Sequence, residues 1–159
     1  MKNLKILKIS LLTFISLYAF FSIRVHKRLN KVDIDLINLL DVKSECGEIE
    51  NFSQEISCIK NVQNKQFLLV KGTECRGRFV EAGSLDFVES GTGCCWDRSR
   101  LIEKTLQYYG FKVRHVHLNH TNNRGILNIL IPNTSSHAVS EVLTSKGWLG
   151  VDSNEKFIL

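Results

Sequence analysis

Proline occurs once in the 159 residues, no low-complexity tract is present, and no segment repeats at a solenoid period. Those absences exclude fibrous and repeat architectures. No C-x-x-C pair occurs, which removes the common zinc ribbons and thioredoxin-like sites. There is no glycine-rich phosphate loop, so no nucleotide and no organic cofactor are implied. Acidic residues are missing from residues 1–31, which hold seven basic ones. The remaining 128 residues carry 14 basic and 16 acidic side chains, a formal −2. The overall +5 therefore belongs to the ends of one segment, and no nucleic-acid partner is expected. What is present is globular: 43 % apolar and 23 % charged residues in 18.2 kDa, enough for one ordinary domain.

Residues 9–23 carry no charge. As a helix they span roughly 22 Å; extension back to Leu4 gives about 30 Å if Lys8 snorkels to the interface. The run ends in Tyr18-Ala19-Phe20-Phe21-Ser22-Ile23, without a small-x-small cleavage site. The expectation is an uncleaved membrane anchor over 1–31, with a cleaved signal peptide and a buried core helix as alternatives. Basic residues flank both ends, so orientation is close to a tie. Residues 32–50 are expected as a polar linker or stalk, and 51–159 as the folded domain.

Five cysteines are present: Cys46, Cys58, Cys75, Cys94 and Cys95. Two disulfides and one free thiol would suit an exported domain, at the periplasmic or cell-surface side of a membrane. Three pairings of the first four are possible. Five reduced cysteines on the cytoplasmic side are the alternative.

Residues 48–65 have helical periodicity, 66–71 read as a short strand or buried turn, and 84–89 as a short helix. The clearest helix begins at the cysteine pair. Cys95, Ser99, Ile102, Leu106 and Tyr109 share one face, Asp97 lies in the first turn, and Gly110 ends it. The period then changes to two, with strands expected after Gly110, over 126–131, over 136–143 and over 148–152. Helices followed by antiparallel strands make an α+β domain.

A cysteine nucleophile acts as thiolate, favoured at a helix N-terminus, and needs a histidine base that a third group orients. A hairpin turning at Ser145-Lys146 would set Val139 opposite Asp152. His137 is then its diagonal neighbour on the same face, about 7–8 Å away along the backbone and within side-chain reach. A slip of one residue would break that placement. One helix end and one hairpin thus offer Cys95, His137 and Asp152 as a catalytic set.

These residues also carry a resemblance. Gly93-Cys94-Cys95-Trp96-Asp97-Arg98-Ser99, followed by Leu101, Leu106 and Gly110, resembles the nucleophile helix of the transglutaminase-like superfamily. Ser136-His137-Ala138-Val139-Ser140-Glu141-Val142 resembles its histidine strand, and Gly147-Trp148-Leu149-Gly150-Val151-Asp152 its aspartate strand. The three motifs stand in the family's order, and the resemblance covers about residues 52–154. The resemblance implies a papain-like α+β core in which the nucleophile helix packs on a small antiparallel sheet. Cys95 would attack an amide carbon, His137 would shuttle the proton, and Asp152 would orient it. Backbone N–H groups at the helix start would hold the oxyanion. The implied activity is that of a peptidase or amidase, or acyl transfer to an amine, on a peptide or protein substrate. The alternative is an inactive binding or assembly module of the same fold. Cys94 departs from the family pattern, and Gln63 and Asn64 are the weak candidates for an upstream oxyanion donor.

Blander roles stand beside these. Asp97 fits a helix-start stabiliser, Trp96 and Trp148 fit packing, and Cys94 fits a disulfide. His115, His117 and His120 with Cys94 suggest a metal site, but alternating histidines on an exposed strand need no metal, and none is expected. Three N-x-S/T sequons, at Asn51, Asn119 and Asn133, matter only in a eukaryotic secretory host.

Overall fold

The computed structural model describes residues 29–71, 85–119 and 136–158. The expected anchor over 1–31 falls almost wholly outside them, as does the expected strand over 126–131. No helix among the described residues is long and apolar enough to cross a membrane.

The helices are α1 (Lys31–Leu40), α2 (Lys43–Cys46), α3 (Phe52–Leu69), α4 (Leu85–Ser90) and α5 (Cys95–Tyr108). Strands β1 (Lys112–Asn119), β2 (Ser136–Thr144) and β3 (Gly147–Asp152) form an antiparallel sheet in the order β1-β2-β3. The expected α+β class is what is found.

Residues 32–50 are not a linker. Asp33, Leu36, Ile37 and Leu40 recur at helical spacing on α1 and are buried. Leu36, Leu40, Val42 and Cys46 enter the same core as Ile59 and Val62 of α3 and Leu101, Ile102 and Leu106 of α5. Asn30 caps α1: its Oδ1 accepts from the Asp33 N–H at 2.9 Å, and Asp33 Oδ2 accepts from the Asn30 N–H at 3.0 Å. The folded unit therefore begins by Asn30, not at residue 51. Apart from Asp33, the charged residues of this stretch face outward, and they hid its apolar stripe.

Residues 66–69, expected as strand or turn, continue α3 instead. Val62 and Gln66 are one turn apart on its buried face, so the helical stripe runs on. A Cys46–Cys58 disulfide ties α2 to α3.

Helix α5 ends as expected at Gly110, whose φ of +88° only glycine adopts readily. The Phe111 N–H donates to the Leu106 carbonyl and the Gly110 N–H to that of Gln107, which completes a Schellman stop. At the hairpin turn the Ser145 N–H and Oγ both donate to Glu55 of α3. The register is the expected one: Thr144 faces Gly147, and Val139 faces Asp152.

Candidate active site

Helix α5 starts at the candidate nucleophile. Cys94 occupies the N-cap in extended conformation, and its N–H donates to Asp97 Oδ2 at 3.1 Å. That is the helix-start role expected of Asp97. Cys94 is disulfide-bonded, whereas Cys95 is the free thiol among the described residues and is partly buried. Arg98, one turn on, is buried and donates from Nη1 to Asn154 Oδ1 at 3.1 Å. Burial pushes the Arg98 guanidinium below its usual range, and the nearby charge of a Cys95 thiolate acts in the opposite direction.

The hairpin joins the other two candidates. His137 Nε2 lies 2.9 Å from Asp152 Oδ2. An ionised carboxylate only accepts, so in a neutral imidazole bonded to it Nε2 is the donor and Nδ1 has the lone pair. Asp152 Oδ1 accepts from the Asn154 and Glu155 N–H groups at 2.6 and 3.0 Å. Both carboxylate oxygens are thus held, and the imidazole is held through one of them.

The packing of α5 on β2 brings the helix start to the same end of the sheet. Ser99 Oγ donates to the Ala138 carbonyl at 2.9 Å; Ser140 Oγ donates to the Ser99 carbonyl at 3.1 Å and to Glu103 Oε1 at 3.3 Å. Four helical residues advance about 6 Å and two strand residues about 6.6 Å. Helix and strand therefore run in step and in the same direction. Cys95 lies one turn before Ser99 on α5, and His137 one residue before Ala138 on β2. Alternation along β2 puts His137 and Asp152 on the face away from Ser140. Among the described residues the Cys95 thiol makes no hydrogen bond.

Gln63 is a correction. Its Nε2 donates to the backbone carbonyls of Asp152, Glu155 and Phe157 at 2.8, 2.9 and 3.1 Å. Those donors hold the turn after Asp152 and are not available to an oxyanion; Asn64 is exposed. Gln63→Leu is expected to cost about 1–3 kcal/mol. It should also speed amide exchange over residues 154–158, which mass-resolved hydrogen exchange would detect.

Sequence reasoning missed Glu103. It is 2 % exposed and stands at the centre of a polar cluster. Its Oε1 lies 2.6 Å from His115 Nδ1 and also accepts from Ser140 Oγ, while Oε2 pairs with Arg100. The signal was present: Ser99 and Glu103 are one turn apart on the face that packs on the sheet, and a buried carboxylate needs partners. His115 is thereby a partner of Glu103, and Cys94 is held in a disulfide. His120 lies outside the described residues.

No family model matches the chain, and no curated protein matches it. Among solved structures, it is similar to one described as "Crystal structure of a TGase", at 15 % identity and a TM-score of 0.47. The match covers 89 % of this chain and 37 % of that one, so the chain spans little more than a third of that protein's length.

Proposed function

We propose that this protein is a thiol enzyme of transglutaminase-like fold that cleaves or transfers acyl groups at peptide or amide bonds. Cys95 is the nucleophile, His137 the base and Asp152 the group that orients it. The observation that carries the reading is the His137–Asp152 hydrogen bond at the end of the sheet where the Cys95 helix begins. The bond to Asp152 fixes the imidazole tautomer, so that Nδ1 is the nitrogen able to accept the thiol proton. Catalytic hydrogen bonds are commonly long or misaligned before substrate arrives, which accommodates a thiol without a partner. In the reaction the Cys95 sulfur adds to the amide carbon and the proton moves to His137. The same proton then leaves with the amine, and water or an amine attacks the acyl-enzyme. N–H groups in the first turn of α5 face the developing oxyanion.

The reading includes a membrane-surface location outside the cytoplasm. The uncharged run at residues 9–23 and the disulfide-bonded Cys46, Cys58 and Cys94 favour it.

A non-catalytic module of the same fold is the second reading, favoured by the lack of a Cys95–His137 hydrogen bond among the described residues. Iodoacetamide labelling of the full chain without reductant, mapped by mass spectrometry, separates the two. Cys95 is expected to react faster than free cysteine, and His137→Ala to slow it by about a hundredfold. Labelling at the rate of free cysteine, unchanged by His137→Ala, overturns the enzyme reading in favour of the module.

A further inference from the structure

Trp96 follows the candidate nucleophile but lies off the buried stripe of α5, and it is 43 % exposed. Its ring is nonetheless backed on one side. The His115 ring meets it at 4.2 Å between centroids and 63°, and the His117 ring at 6.0 Å and 64°. His115 is pinned in turn, with Nδ1 on the buried Glu103 carboxylate. That carboxylate also takes Ser140 and Arg100, so its charge is already answered. The result is an indole held firmly from behind and open in front, one residue from the attacking sulfur. Arg100 is paired with Glu103 and Arg98 is buried against Asn154, so neither charge is presented at the indole, and its open surface offers a ligand aromatic stacking.

We propose that Trp96, with His117, is a specificity-determining shelf that takes an aromatic side chain next to the amide attacked by Cys95. The inference rests on the thiol-enzyme reading. Large aromatic surfaces held rigid before binding are where recognition energy concentrates, because ordering them costs little more on association.

The test uses the full chain and two reagents, N-capped phenylalanine chloromethyl ketone and its alanine homologue. In both, the Cys95 sulfur forms the C–S bond, chloride leaves, and the thiol proton passes to buffer, so only the side chain differs. The phenylalanine reagent is expected to label Cys95 about tenfold faster than the alanine one. Trp96→Ala should bring that ratio close to one, and Trp96→Phe should keep most of it. A second measurement does not depend on removing the side chain. The chain has two tryptophans, so Trp148→Phe leaves Trp96 as the sole indole. Labelling with the phenylalanine reagent should shift its emission to the blue, and labelling with the alanine reagent should not. A ratio unchanged in Trp96→Ala, or an emission indifferent to the reagent, overturns the shelf while a His137-dependent rate leaves the enzyme reading standing. A labelling rate indifferent to His137 overturns both.

Discussion

Lys104→Ala is expected to destabilise the protein by about 3–5 kcal/mol, because it breaks a buried ion pair from one side. Lys104 Nζ lies 2.7 Å from Asp33 Oδ1, and the two side chains are 7 % and 8 % exposed. Asp33 is also the carboxylate that caps α1. Without the ammonium it keeps one backbone partner and a charge buried without its counter-ion. The pair joins α1 to α5, so the loss reaches both elements. Restoring neutrality with Lys104→Met and Asp33→Asn together should recover most of it, since Asn preserves a side-chain oxygen for the cap. Urea midpoints of the single and double variants measure both effects. No effect of Lys104→Ala would mean that residues 31–40 do not pack as described.

The second large effect is expected at Glu103. Glu103→Ala removes the acceptor shared by His115, Ser140 and Arg100, at a cost of about 3 kcal/mol. His115 Nε2 is already buried without a partner among the described residues, so the substitution leaves both ring nitrogens without one there. Glu103→Gln keeps the volume and one acceptor oxygen, and should retain at least about half of the lost stability. The functional readout differs from the thermal one. Trp96 loses its fixed backing in Glu103→Ala, so the preference for the phenylalanine over the alanine reagent should weaken while Cys95 remains in place. A lower midpoint with an unchanged preference would make Glu103 a stabiliser only.

The parts of this fold governed by local periodicity were legible. The stripe Ser99, Ile102 and Leu106 gave α5, Gly110 gave its end, and the turn residues gave the hairpin register on which the His137–Asp152 pairing depends. The parts set by long-range contacts were not. The buried residues of α1 stand among charged neighbours, and Asp33 has its reason only once Lys104, 71 residues away, is placed beside it. Gln63 resembled an oxyanion donor because an amide at that point in the chain can serve either purpose. Only the three carbonyls at and beyond Asp152 decide between them. Glu103 and His115 are 12 residues apart on a helix and a strand, and no single period links those elements.

The links around the site differ in the length of chain they close. His137 and Asp152 are separated by 15 residues, Ser99 and Ala138 by 39, and Gln63 and Asp152 by 89. Loop-closure entropy rises with the logarithm of that length, so the last link costs about 1.5 kcal/mol more to close than the first. The imidazole–carboxylate couple is the part of the site that least needs the rest of the molecule. Partial opening should follow the same order. The clamp from α3 to the turn beyond Asp152 releases before the couple on the hairpin does, and hydrogen exchange should find residues 154–158 open while β2 and β3 are still paired.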